Sequence, residues 1–279
     1  MQTLSEIKSL LEAHGLRPRH ALGQNFLADH NLIRILVDES GARAADNVLE
    51  IGPGTGTLTE ELLARGCRVT ACELDPQLAA LNRERLGHSP AFSLIEGDCL
   101  DGKHALNPDI TGALGDAPFR LVANLPYGAA SAVMAVLAMD HPRCLGQYVT
   151  IQREVGQRLR AQPGSKDYGE LGIVVQATCS VRRIATLAPE CFWPRPEVTS
   201  EMVAIEPLPP ESRRTKDPRR LSAACRALFT QRRKQIGTTL GRTFPFPGGI
   251  APTLRPEQLT IEQIEALAVL GAGSEKRTD

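Results

Sequence analysis

Apolar residues along the chain recur in two rhythms, a helical spacing and short continuous runs, and the two alternate. Leu4, Ile7, Leu10 and Leu11 fall on one face of a helix, and Thr3 with Glu6 forms a capping box at its start. A second amphipathic helix is expected over about 31–40. From residue 47 onward short apolar runs take over: strands are predicted at 47–51, 68–72, 92–95, 120–123 and from 148–151. Between them lie a helix at 58–65, one capped by Asp75 with Pro76 at its first position, and an uncharged helix at 128–139 that reads as buried. This β-α-β alternation implies an α/β fold with a mostly parallel sheet covered by helices on both faces.

Pro207-Leu208-Pro209-Pro210 breaks the rhythm and reads as a linker. Helices are expected beyond it: one opening at Asp217-Pro218, a basic one over about 232–240, and a last one capped by Thr260 and Gln263. The expected organisation is a large domain at 1–206, with an N-terminal helical extension, and a small C-terminal helical domain at 207–279.

Composition narrows the function classes. No run approaches the ~20 apolar residues of a membrane helix, and no secretion signal is read at the N-terminus. Seven scattered Cys without a C-x-x-C pair argue against a zinc site and for reduced thiols in a cytoplasmic protein. Net charge is zero, yet residues 205–242 hold ten Arg and Lys against three acids, a local excess of seven. A basic face of that kind suits phosphates even on a neutral chain. A smaller basic patch is Arg17-Pro18-Arg19-His20.

The chemistry-bearing residues cluster at predicted strand ends. Glu50-Ile51-Gly52-Pro53-Gly54-Thr55-Gly56 joins a strand to a helix, where glycines permit sharp turns and close ligand approach. The spacing is G-x-G-x-G rather than the dinucleotide G-x-G-x-x-G, and an acid precedes it, so a cationic, zwitterionic ligand fits better than a pyrophosphate. Glu73, about 20 residues on, is placed to accept from ribose hydroxyls, and Asp98 from an adenine amino group. Either acid alone is more often a solvated helix cap; acids at successive strand ends facing one crevice are hard to dismiss. Asn124-Leu125-Pro126-Tyr127 ends the next strand. The Asn124 side-chain oxygen and the Leu125 carbonyl can both accept from a planar amine, on which Tyr127 can stack.

With these motifs in hand, the chain resembles the KsgA/RsmA family of ribosomal RNA adenine dimethyltransferases over nearly its whole length. The resemblance rests on Leu22-Gly23-Gln24-Asn25-Phe26-Leu27, the glycine loop, Glu73-Leu74-Asp75-Pro76, Gly97-Asp98 and Asn124–Tyr127, and continues through Pro163–Gly169, Phe192–Ser200 and Leu228–Lys234. It implies a Rossmann-like class I methyltransferase domain with a seven-stranded sheet, S-adenosylmethionine as cofactor, and N6,N6-dimethylation of adenines in 16S ribosomal RNA of the small subunit. It implies a monomer without metal. Asn25 and Leu27 would close over the methionine end, Gly52 would approach the cofactor through its backbone, and Glu73 and Asp98 would hold ribose and adenine. Asn124 would lie between cofactor and target base, with Leu125 and Pro126 completing the loop, and Phe192 would face Tyr127 across the pocket. Arg232, Arg233 and Lys234 would hold RNA.

Gly128-Ala129-Ala130-Ser131 departs from the polar residue and Ser-Thr pair usual in that family, which bears on the pocket floor. Competing readings are the related large-subunit macrolide-resistance methyltransferases, a non-catalytic ribosome-assembly factor on the same fold, and an NAD-dependent oxidoreductase. The intact acids and Asn124–Tyr127 speak against the assembly factor, and the G-x-G-x-G spacing with Asn124–Tyr127 against the oxidoreductase.

Overall fold

The computed structural model describes residues 1–19, 22–102, 104–241 and 243–274, so His20 of the small basic patch and Arg242 of the basic stretch lie outside it. Seven strands form the main sheet: β1 (Asn47–Ile51), β2 (Arg68–Glu73), β3 (Phe92–Glu96), β4 (Phe119–Asn124), β5 (Cys144–Gln152), β6 (Cys179–Leu187) and β7 (Ser200–Pro207). Their order is β3-β2-β1-β4-β5-β7-β6. The first five are mutually parallel, and β7 runs antiparallel to β5. The order in which strands are added reverses between β1 and β4, the strands themselves staying parallel, so the carboxyl ends of β1, β2 and β4 open on a crevice at a topological switch point.

Helices α1 (Leu4–Ala13), α2 (His30–Ser40), α3 (Thr57–Ala64), α4 (Pro76–Leu86), α5 (Pro108–Leu114) and α6 (Ala130–Asp140) accompany these strands. The caps follow from the sequence. Thr3 and Glu6 make the reciprocal capping box of α1, and Asp29 accepts from the amides of Asn31 and Leu32 at the start of α2. Asp75 caps α4 with Pro76 behind it, as expected. Apolar side chains from β1, β2, β4, α2 and α3, among them Val48, Val69, Val122, Leu36 and Leu62, make a core against the sheet.

The chain divides into two compact units. One comprises Met1–Gly156 and Arg182–Glu206, the other Gln157–Val181 and Pro207–Asp279. The proline cluster at 207–210 falls at one changeover. Residues 157–181, which the linear division at 206 assigned to the first domain, gather with the later helices because of their side chains. Tyr168, Ile173 and Ala177 share a core with Leu221, Cys225 and Leu228 of α9 (Pro218–Phe229). The second unit also holds α8 (Glu170–Thr178), α10 (Ile236–Leu240) and α11 (Ile261–Ser274); α7 (Arg153–Leu159) spans a boundary.

One expected element is corrected. No basic helix covers 232–240: Arg232, Arg233 and Lys234 lie on a turn, and α10 starts only at Ile236. The amide of Lys234 donates to the Gln231 carbonyl at 2.8 Å, closing the turn, and Gln235 is extended (φ −67°, ψ 144°).

Candidate active site

A cavity of about 820 Å³ opens within the first unit along the strand ends. Its wall includes Asn25, Leu27, Gly52, Glu73, Asp98 and the whole of Asn124–Tyr127. Phe192 is the exception among the residues expected here. It is 4% exposed and packs in the sheet core with Leu27, Val122 and Tyr148, outside the cavity wall. The cause is the pleat. Phe26–Leu27 pairs antiparallel with Phe192–Trp193, and successive side chains point to opposite faces. Trp193 therefore stacks on Phe26, with ring centroids 6.4 Å apart, while Phe192 turns to the core.

The glycine loop is shaped by what surrounds it. Gly52 has φ +71°, its amide donates to the Cys72 carbonyl at 2.8 Å, and a Cβ there would sit 3.2 Å from the Pro126 ring. Gly54 has φ +61°, and a Cβ there would sit 2.9 Å from the Phe26 ring. Bare backbone at these two points lets the loop nest between the β4 end and the N-terminal segment. Gly56 then opens α3 at φ +84°.

Two acids stand behind the loop. Glu73 ends β2 and is 6% exposed; one carboxylate oxygen accepts the Gly54 amide at 3.1 Å and the other the Asp75 amide at 2.9 Å. Burial pushes its pKa above the usual carboxylate range, against the pull of these amides. Each oxygen keeps a lone pair for a hydroxyl donor. Glu50, 1% exposed, also lines the cavity and accepts the Thr59 hydroxyl at 2.7 Å. Burial, opposed by that hydrogen bond and helped by the nearby charge of Glu73, raises it to about 8. Asp98 is exposed, so its carboxylate is open to an outside donor, and its Oδ1 accepts the Leu100 amide at 3.0 Å. Leu74, 53% exposed, presents an apolar surface in the same wall. Even with Glu50 protonated near neutrality, the lining carboxylates Glu73, Asp98 and Glu197 outnumber the lining base Arg195 among the described residues, which suits a cationic ligand.

The other end of the cavity is built by β4. The Leu125 amide donates to the Thr150 carbonyl at 3.1 Å, and the Pro126 carbonyl accepts from Ala129 and Ala130, which turns the chain into α6. Asn124 donates through Nδ2 to the Asn25 carbonyl at 2.8 Å, so its Oδ1 remains as the acceptor. The Tyr127 hydroxyl lies 3.2 Å from the Ser200 hydroxyl. Desolvation raises this phenol, and it raises the lining thiols Cys72 and Cys99 to about 12. Neither thiol is a nucleophile near neutrality.

Sequence reasoning did not single out Gln152, Leu100 or the cavity-facing run Pro194–Val198 as lining residues. The last was visible only as part of a quoted motif; the first two carry no local signal and arrive through the fold.

In the second unit, Arg232 is engaged within the chain: Nε meets the Glu257 carboxylate at 2.7 Å and Nη2 donates to the Ser165 carbonyl at 3.0 Å. Arg233 and Lys234 are exposed.

A sheet wound in this order, with its cavity along the strand ends, is the class I methyltransferase fold. Solved structures agree: a dimethyladenosine transferase from Plasmodium falciparum is similar with a TM-score of 0.68 at 20% identity, covering 90% of this chain and 98% of that one. The 23S rRNA methyltransferase ErmE gives 0.61 at 23% identity over 88% of this chain and 99% of its own. The chain belongs to the ribosomal RNA adenine dimethylase family, whose family model matches residues 15–259. Among its relatives, the ribosomal RNA small subunit methyltransferase A of Magnetococcus marinus is 38% identical over 275 residues, covering 96% of this chain and 97% of the relative. That of Rhodospirillum rubrum is 38% identical over 283 residues, with 97% and 94% covered. The protein is thus an enzyme of the methyltransferase class, and its family and fold imply use of S-adenosylmethionine.

Proposed function

We propose that this enzyme transfers methyl groups from S-adenosylmethionine to the N6 amino groups of adenines in small-subunit ribosomal RNA, giving N6,N6-dimethyladenosine. The observation that carries the reading is the orientation of Asn124. Its Nδ2 is occupied by the Asn25 carbonyl, so the acceptor Oδ1 is what remains for an incoming amine. That acceptor stands in one cavity with the acids at the ends of β2 and β3.

The donor set fits the cofactor. Glu73 would take the ribose hydroxyls, Asp98 the adenine amino group, and Leu74 an apolar ring face. Asn25, Leu27 and the backbone at Gly52 would hold the methionine end. When bound, S-adenosylmethionine supplies an activated methyl group on a sulfonium. The chain's own task is orientation. Asn124 Oδ1 accepts a hydrogen from the adenine amine and so keeps the nitrogen lone pair from delocalising into the ring. Tyr127 offers a ring face for the flipped-out base, held in place by its hydrogen-bonding contact with Ser200. No strong base is required, because an amine that has gained a methyl group loses its proton readily. The buried thiols and the half-buried Tyr127 hydroxyl, all protonated near neutrality, serve as no base. Arg233 and Lys234 would meet RNA phosphates from the second unit, whereas Arg232 is already bound to Glu257 and Ser165.

Labelled-methyl transfer to immature small subunits, mature small subunits and large subunits, followed by nucleoside analysis, tests this. Dimethyladenosine from immature small subunits alone is the expected result. Label confined to large subunits, or no transfer despite binding, would contradict it.

A further inference from the structure

The segment Gly23–Leu27 touches both ends of the cavity, and two polar anchors fix it there. Gln24 donates through Nε2 to Asp75 Oδ2 at 2.9 Å and accepts the Arg19 amide through Oε1 at 2.7 Å. Asp75 is 3% exposed, caps α4 through Oδ1, and donates its own amide to Glu73. The residue after Gln24 offers its carbonyl to Asn124 Nδ2. A continuous run therefore leads from the Glu73 carboxylate through Asp75, Gln24 and the Asn25 carbonyl to the Asn124 amide.

An asparagine amide can present either its oxygen or its nitrogen along one direction; the partners decide which. Turned over, Asn124 would aim an NH2 group at an adenine NH2 group, donor against donor. A carbonyl stationed beside it removes that alternative. We propose that Gln24 is a positioning residue for methyl transfer: by its hydrogen bond to Asp75 it places the Asn25 carbonyl that holds Asn124 with Oδ1 toward the target amine. This rests on the function proposed above. It makes the alignment of the target amine dependent on a residue that need touch neither the base nor the methyl donor.

The Asn25 carbonyl cannot be removed by a side-chain change, so the test acts on the Gln24–Asp75 contact. Gln24→Glu sets two carboxylates against each other. Adding Asp75→Asn restores one hydrogen bond with donor and acceptor exchanged, and Asn still serves as a helix cap. Single-turnover methyl transfer to immature small subunits at saturating S-adenosylmethionine is measured for wild type, Gln24→Glu, Asp75→Asn and the double variant. Cofactor affinity and melting temperature are measured alongside. The proposal expects Gln24→Glu to slow the saturated rate by about tenfold or more, the size of losing a hydrogen bond to a charged group, and the double variant to recover most of it. Gln24→Leu, close in size and without a donor, should also slow the step, which keeps the test open if the Glu variant folds poorly. A saturated rate equal to wild type in both Gln24 variants, with only cofactor affinity reduced, overturns the proposal. So does a double variant as slow as Gln24→Glu while Asp75→Asn alone is normal. Inactive wild-type protein would instead count against the proposed function itself, which separates the two failures.

Discussion

Glu50 is 1% exposed and accepts the Thr59 hydroxyl, and its burial holds its proton unusually tightly. Its folded-state pKa of about 8 stands above the ordinary 4.5, and this fixes a sign. Between those values the folded chain keeps a proton that the unfolded chain releases, so raising the pH across that window favours unfolding. Above about 8 the group ionises in both states and the dependence levels off. Glu50→Gln cannot ionise and keeps an acceptor for Thr59. Its melting temperature should therefore gain on wild type as the pH rises from about 5 to about 8 and then run parallel. A difference independent of pH would show that Glu50 is ionised when folded. The sequence made Glu50 visible as an acid before the glycine loop, but its burial and its proximity to Glu73 come only from the fold. The sequence singled out Asn124 because it ends a strand and is followed by a proline and an aromatic, and the structure has it in the cavity wall. What no pattern could give is the acceptor that engages its Nδ2, the Asn25 carbonyl 99 residues away in sequence.

The loop between β1 and α3 was read for its glycines, and they do take the left-handed conformations expected. Their neighbours add a second reason for glycine. At Gly54 a methyl group would press on Phe26, whose ring stacks on Trp193. Gly54→Ala should cost about 1–3 kcal/mol through overpacking, beyond the backbone penalty. Gly15→Ala, with φ +65° and nothing within 4 Å, isolates that backbone penalty. Chemical denaturation of both variants checks this, and equal losses would mean that Phe26 yields freely. The strands were readable because β1, β2 and β4 are short apolar runs bounded by turn residues. The turn at 231–234 was not. Arg and Lys favour helices on average, but the chain here is bent by Arg232's partners Glu257 and Ser165, which are remote in sequence. Phe192 failed for a similar reason, since pairing with Leu27 decides which way its side chain points.

Under the proposed function, the two compact units separate cofactor binding from RNA binding. The first unit contains the acidic cavity, and the second bears exposed cations on a turn braced by Arg232. Replacing Arg233 and Lys234 with Ala should weaken small-subunit binding and lower the slope of log affinity against log salt by about 2, roughly one per lost phosphate contact. Cofactor affinity should not change. An unaltered salt slope would place the RNA contacts elsewhere. The most direct test of the whole account remains Asn124→Ala in a single-turnover assay at saturating cofactor and immature small subunit. Aligning the amine matters most in the transition state, so the rate should fall by ~10²-fold or more while subunit affinity stays close to wild type. A wild-type single-turnover rate in that variant would contradict the account at its centre.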